Sequence, residues 1–340
     1  MKPSNRLRHL LAAALTSLSC AAVAADQLTV YTALEPEDLK KYADRFNADH
    51  PDIKINWVRD STGVITARLL AEKNNPKADA VWGLAATSLK LLQQQDMLEA
   101  YAPKGLDKLN PRYVDNQQQP QWIGMDAWMA AICFNTVEAQ KHQLPIPASW
   151  QDLTKPVYRG HVVMPHPASS GTGYLDVSAW LQTFGEEQGW AYMDGLHQNI
   201  KSYTHSGSKP CKMAATGEAP IGISFAYRGA KEKSAGAPLE LIFPSEGLGW
   251  EMEAAAIIKG SQRLAAAKTL LDWAASEKAN RLYNEGYAIV AMPGIARPVE
   301  HFPAEPEKLL IDNDFDWAAE SRERILAEWQ KRYEGKAEAQ

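Results

Sequence analysis

The sequence predicts an α/β fold in two lobes, each a mixed, mainly parallel sheet flanked by helices. Three observations lead there. Short apolar runs alternate with segments of helical period over residues 28–94, the pattern of strand–helix–strand units. Turns rich in hydroxyl groups and glycine stand where the apolar runs end. The chain has 340 residues, 45% of them hydrophobic, which is enough to fill two cores.

In chain order, residues 28–32 form a strand, and Pro36 leads into a helix over 39–49 with Tyr42 and Phe46 on one face. Pro51 stops that helix, and 53–58 alternates as a second strand. The turn Asp60-Ser61-Thr62-Gly63 opens a helix through Leu69, Leu70 and Ala71. Residues 78–83 are a third strand and 87–94 a third helix. Residues 101–121, rich in Pro, Asn and Gln, read as a surface loop. The apolar run 124–135 reads as a buried strand crossing between lobes, with Asp126, Trp128 and Cys133 inside it. Asp126 there is either a satisfied structural acid or a partner for a cation, the first being the commoner case. Residues 144–153 are a linker into a short helix.

The segment 161–174 organises the second half. A short strand, 161–164, is closed by Pro165 and Pro167. Ser169 and Ser170 are good helix N-caps, and Gly171 and Gly173 permit a tight turn into a helix over 175–184. Helix continues over 185–196, then a polar turn, 202–210, precedes a helix over 211–216. Residues 221–227 are a strand presenting Tyr227 and Arg228, and 239–243 another. Residues 247–253 lead into a return strand, 254–258. Helices follow over 264–275, 279–285 and 317–333. Lobe one then holds 26–125 with 252–300, and lobe two 126–251 with 301–335, leaving 336–340 as a frayed tail.

Lys2, Arg6 and Arg8 precede an apolar run and small residues ending Val23-Ala24-Ala25, the form of a secretory signal peptide over 1–25. Ser17-Leu18-Ser19-Cys20 lacks the usual Leu three residues before a lipidated Cys, so a soluble periplasmic protein is expected. Removing 1–25 takes away three basic residues and no acidic ones, moving the net charge from −5 to −8. A balance that acidic argues against nucleic acid or anionic lipid as partner. Cys133 and Cys211 remain, either as one disulfide or as two buried thiols, and an oxidising compartment favours the first.

Thr32, Ser61-Thr62 and Trp82 stand at three strand ends, where open α/β sheets bind ligands. The turn holding Ser169, Ser170, Gly171 and Thr172 adds free N–H groups at a helix start, an anion site without Lys or Arg. The chain carries no P-loop, no His-Glu-x-x-His and no paired-Cys metal spacing, and no cofactor or metal is expected. Ser206-Gly207-Ser208-Lys209 matches Ser-x-x-Lys of penicillin-recognising enzymes, but neither Ser-Asp-Asn nor Lys-Thr-Gly follows. A serine hydrolase using Ser206 and Lys209 is therefore the weaker reading, and a binding protein that is not an enzyme the stronger.

Several segments together carry a resemblance: Tyr31-Thr32-Ala33-Leu34-Glu35, Asp60-Ser61-Thr62-Gly63, Asp79-Ala80-Val81-Trp82-Gly83, Pro167-Ala168-Ser169-Ser170-Gly171-Thr172-Gly173 and His205-Ser206-Gly207-Ser208-Lys209-Pro210-Cys211. They resemble the periplasmic 2-aminoethylphosphonate-binding proteins of ABC importers, and the likeness runs on to Trp329-Gln330. The resemblance implies a monomeric type II binding-protein fold with a hinge between lobes. It also implies 2-aminoethylphosphonate as ligand and an inner-membrane ABC permease as partner. The phosphonate would meet Ser169, Ser170, Gly171, Thr172, Ser61, Thr62 and Thr32. The ammonium would meet an aromatic and acidic wall drawn from Trp82, Tyr227, Trp250, Glu251 and Glu35. The similar ferric-ion-binding proteins supply the competing ligand, but Ala226 stands where the first of their two adjacent tyrosines would fall.

Overall fold

A computed structural model describes residues 26–338; the expected signal peptide and Cys20 lie outside the described residues. The first third of the chain repeats a strand–helix unit three times: β1 (Asp26–Thr32), α1 (Pro36–Asp49), β2 (Ile53–Arg59), α2 (Thr62–Ala71), β3 (Ala80–Ala85) and α3 (Ala86–Gln94). A loop with short 3-10 turns leads to β4 (Trp122–Asn135) and α4 (Thr136–Lys141). Then come β5 (Val162–Pro165), α5 (Gly171–Phe184), α6 (Glu186–Asn199), β6 (Ile200–Thr204), α7 (Lys209–Thr216), β7 (Ile221–Phe225), α8 (Ala226–Ser234) and β8 (Leu239–Ile242). The chain returns through β9 (Trp250–Ile257), α9 (Leu264–Ala274), α10 (Glu277–Tyr283) and β10 (Ile289–Val290), and ends in α11 (Phe315–Glu320) and α12 (Arg322–Tyr333).

The strands run in the order β2-β1-β3-β9-β4-β7-β5-β6, with β8 and β10 also pairing to β4. Every residue of β4 is buried. That explains why its sequence reads as one apolar run without alternation. Its first half pairs antiparallel with β9 and β10, and its second half with β7 and β8. β4 is therefore the strand that passes from one sheet to the other. Beside the change-over the Ala130 amide donates to the Gly249 carbonyl at 2.8 Å, so a second chain segment passes alongside. β1, β2 and β3 are mutually parallel, as are β5, β6 and β7, and both sets feed helices from the same strand end.

Four details depart from the expectations. The strand over 221–227 stops at Phe225, so Tyr227 and Arg228 lie in the first turn of α8. The return strand starts at Trp250, which makes Glu251 and Glu253 strand residues. The C-terminal helix is broken at Ser321. Of the stretch expected to fray, the described residues are docked: Ala337 bridges to Tyr203, and the Glu338 amide donates to the Tyr203 carbonyl at 2.9 Å. Cys133 of β4 and Cys211 of α7 form a disulfide with Cα atoms 5.3 Å apart, tying helix to sheet.

The two sheets face each other closely across a cleft. On one side the Gly63 amide donates to the Ser169 carbonyl at 2.8 Å. On the other, Arg228 donates to Glu35 at 2.5 Å and to Glu37 at 2.6 Å, and the Tyr227 hydroxyl donates to Asp38 at 2.9 Å. Gly63 sits within α2, where any residue fits the backbone, but a Cβ there would lie 1.9 Å from the Ala168 carbonyl oxygen. The obstruction belongs to the approach of the second sheet alone. Gly63→Ala should therefore fold, with unchanged secondary structure by circular dichroism, yet rest open. Small-angle X-ray scattering should record a larger radius of gyration than for the unsubstituted protein, and an equal radius would refute this role.

Candidate functional site

Helix beginnings surround the cleft. Its lining includes the residues immediately ahead of α1 (Glu35), α2 (Ser61), α3 (Ala85), α5 (Ser170) and α8 (Phe225), with Gly207 from the turn before α7. Strands β1, β2, β3, β5 and β7 all end here, which is where open α/β sheets place ligands. Each helix start presents unpaired N–H groups and roughly half a positive charge. The cavity, part-open to solvent, measures about 50 Å³.

The cavity lining is rich in donors. Ser61 caps α2 without using its side chain. Thr62 and Thr172 are also in the lining, and Gly171 allows their turns to touch, since a Cβ there would lie 2.5 Å from Thr62 Oγ1. Ser170 caps α5, its hydroxyl accepting from the Gly173 amide at 3.3 Å. Arg59 joins them, held at the wall by Nε donating to the Leu34 carbonyl at 3.0 Å. This guanidinium corrects the expectation of an uncharged donor set. It follows from Arg59 being the last residue of β2, one step before the turn that was recognised.

The lining is also aromatic and acidic. Trp128, Phe225 and Tyr287 contribute to it with Glu253. Glu253 accepts from the Tyr287 hydroxyl at 3.1 Å through Oε1, while Oε2 has no partner among the described residues. Burial, opposed by the Tyr287 hydrogen bond and reinforced by Asp38 and Glu35, pushes the Glu253 carboxyl up to about 8. An acid so placed can accept from a cation or a hydroxyl group.

The expected site residues divide accordingly. The structure brings Ser61, Thr62, Ser170, Gly171, Thr172 and Glu35 to the cavity. Glu35 is already engaged by Arg228. The others lie elsewhere, each for a local reason. The Ser169 hydroxyl donates to the His205 carbonyl at 2.8 Å, bracing two turns. Thr32 is fully buried, its Oγ1 accepting from the Leu34 amide at 3.1 Å. Trp82 points to the opposite side of its strand, stacks on Trp57 at 5.5 Å and donates to the Tyr283 hydroxyl at 3.0 Å. Trp250 donates to the Ile311 carbonyl at 3.0 Å, inside the core. Glu251 accepts from the Thr87 hydroxyl at 2.5 Å and the Met252 amide at 2.8 Å, and burial raises it to about 7. Tyr227 stands one layer back, stacked on Tyr287 at 4.9 Å.

Arg59, Trp128, Phe225, Glu253 and Tyr287 were not singled out from the sequence as cleft residues. Glu253 is two residues from Glu251 in one strand, so both share a face and differ only in depth along it. The hydrolase constellation is not assembled: Lys209 pairs with Glu338, and the Ser206 hydroxyl meets that of Ser208 at 3.2 Å. Among the described residues no group of three His, Cys, Asp or Glu side chains is placed to hold a metal ion.

Comparison with known proteins follows the same lines. Residues 75–320 match the family model described as bacterial extracellular solute-binding protein. A protein of uncharacterised function from Haemophilus influenzae is 32% identical over 285 residues, 82% of either chain. A probable ABC transporter periplasmic-binding protein, y4fP of Sinorhizobium fredii, is 27% identical over 304 residues, 87% of this chain and 82% of that one. Among solved structures, the periplasmic binding protein AfuA from Actinobacillus pleuropneumoniae, with fructose-6-phosphate bound, superposes with a TM-score of 0.85 at 30% identity. That superposition covers 91% of this chain and 99% of AfuA.

The raised Glu253 carboxyl has a consequence for stability. Its folded pKa of about 8 stands above the ordinary 4.5, so its contribution is fully present at acid pH and is lost as pH rises toward about 8. Glu253→Gln removes that loss. The melting temperature of the variant, relative to the unsubstituted protein, should climb between about pH 5 and about pH 8, by the equivalent of a few kcal/mol. A difference independent of pH would show that this carboxyl does not titrate in that window.

Proposed function

The chain belongs to the bacterial extracellular solute-binding protein family, and on that premise we propose that it captures a compact phosphoryl-bearing zwitterion, with 2-aminoethylphosphonate the leading candidate. It would deliver this ligand from the periplasm to an ABC permease. The observation that carries the reading is the polarity of the cleft. Hydroxyls, helix starts and Arg59 line it together with Glu253 and three aromatic rings, and on this reading the phosphoryl group goes to the first set and the ammonium to the second. A tetrahedral dianion suits the first set, where hydrogen bonds to a charged group contribute about 1.5–3 kcal/mol each. An ammonium group suits the second, where a desolvated aromatic face adds roughly 2 kcal/mol. Glu253 thus takes the role first assigned to Glu251 or Glu35.

Motion about a hinge between two lobes, near the passage of β4 and the start of β9, would open and close this cleft. The division into 26–125 with 252–300 and 126–251 with 301–335 is part of this proposal. A monomer suffices, because both ends of the cleft come from one chain.

A second reading is favoured by AfuA, whose structure holds fructose-6-phosphate. A sugar phosphate would use the same donor end and offer hydroxyl groups to Glu253. The aromatic rings beside Glu253 favour the ligand that carries a cation.

Thermal shift with 2-aminoethylphosphonate, fructose 6-phosphate, phosphate, ethanolamine and ferric citrate discriminates among these. A ligand at 100-fold its dissociation constant should stabilise the protein by about 2.7 kcal/mol. The largest shift should come from 2-aminoethylphosphonate, and none at all would reject it. In calorimetric titration Ser170→Asp should abolish binding, because a fixed carboxylate at the start of α5 repels the dianion. Undiminished affinity would move the oxyanion away from Ser170.

A further inference from the structure

Asp126 and Glu253 lie directly opposite each other in the β4–β9 ladder, just past the register shift at Gly124. Side chains opposite each other in an antiparallel pair have Cβ atoms about 4.5–5.5 Å apart. Asp126 is wholly buried, and neither of its carboxyl oxygens has a partner among the described residues. On its other side β10 offers Val290.

The groups packed around this pair add no compensating charge. From α1 come Asp38 and Tyr42, and from α10 and the turn after it Tyr283 and Tyr287. Glu35 faces Glu253 as a further acid. Arg59 lines the same cavity as Glu253, its Nε held by the Leu34 carbonyl, and among the described residues the other cations nearby are engaged elsewhere. Arg228 binds Glu35, Glu37 and Glu232, and Lys41 meets Glu285 at 3.1 Å and Asp38 at 3.7 Å. Two adjacent carboxyls in a dry, acidic setting cannot both ionise. Both are accordingly displaced upward, Asp126 well above the usual carboxylate range.

We propose that Asp126 and Glu253 hold protons in the empty cleft and that Glu253 gives one up when the ligand's ammonium group reaches it. Capture then releases a proton to solvent and favours zwitterions over plain phosphoryl anions. Asp126 acts as a positioning residue: it touches no ligand but sets the proton affinity of the carboxyl that does. The inference rests on the phosphoryl–ammonium reading above and goes beyond it, because a sugar phosphate would call for no such discharge. An ionised Glu253 repels an unaccompanied dianion, so the two ligand classes should respond to pH in opposite directions.

Calorimetric titration in two buffers of unlike ionisation enthalpy counts the protons released. The probes are 2-aminoethylphosphonate and the amine-free ethylphosphonate, and each ligand's own phosphonate proton is cancelled by comparing the unsubstituted protein with Glu253→Gln. At about pH 7, 2-aminoethylphosphonate should release up to one proton more from the unsubstituted protein than from Glu253→Gln, whereas ethylphosphonate should release no more from the one than from the other. Affinity for 2-aminoethylphosphonate should rise by up to tenfold per unit between about pH 6 and about pH 8. Asp126→Asn should move that rise to lower pH, together with the opposite fall for ethylphosphonate, an effect that loss of packing alone would not produce. Equal 2-aminoethylphosphonate proton counts with and without the Glu253 carboxyl, or an unmoved pH profile in Asp126→Asn, overturn the inference while leaving the ligand reading intact. Failure of 2-aminoethylphosphonate to bind at any pH overturns both. Should Glu253→Gln not fold, the Asp126→Asn profile still decides.

Discussion

The architecture depends on one strand being shared by two sheets. β4 gives its first half to β9 and β10 and its second half to β7 and β8, so two parallel sets of strands are set facing each other. Each set feeds its helices from the same strand end, and those ends meet at the cleft. The positive potential there is a property of topology more than of charged side chains, in a protein whose overall charge is negative. A strand in this position must be covered on both faces, which is why β4 is buried throughout and why Asp126 within it is conspicuous. A dry acid in a shared strand has a cost, and its neighbour across the ladder lines the cavity.

Much of this was legible in the chain. Strand–helix alternation, the hydroxyl-rich turns and the crossing run were visible because periodicity and turn chemistry are local properties. The donor end of the cleft came through for the same reason: Ser61, Thr62, Ser170, Gly171 and Thr172 sit in turns whose composition differs from that of the elements around them. The acid–aromatic end did not. Glu253, Trp128 and Tyr287 come from two strands and a turn far apart in sequence, and nothing local separates Glu253 from Glu251. Strand direction and depth decide between them, and only assembled sheets have depth. Trp82 failed in the opposite way. It stands at a strand end, as a ligand residue should, but strand alternation turns it toward Trp57 and Trp273. Proximity in sequence to the right place says nothing about which face a side chain takes.

Closure has an electrostatic logic of its own. In the closed arrangement acids of one sheet meet donors of the other: Glu35 and Glu37 take Arg228, and Asp60 meets the His205 ring at 3.1 Å. The Arg228 side chain is almost wholly buried, so its partners must follow it whenever the sheets approach. Leaving such a cation without partners would cost several kcal/mol, whereas the exposed His205–Asp60 contact contributes little. Glu37 reflects the arrangement: although burial opposes it, the hydrogen bond from Arg228 draws its carboxyl down to about 2. These contacts align the two sheets without themselves selecting a ligand.

What selects is the mismatch left inside. Bringing the helix starts and Arg59 together around an empty cavity concentrates positive potential with nothing to receive it. At the far end the same movement seals a carboxyl away from water. A dianion at one end and an ammonium at the other relieve both at once, and only a ligand with differential affinity for the closed form can shift the population toward it. Inorganic phosphate meets the first demand and leaves the acid sealed. An amine without a phosphoryl group meets the second and leaves the helix starts unanswered. Selectivity in such a cleft is a condition on both ends of one molecule and on the distance between them, a distance set by how far Glu253 lies from the turn at Gly171.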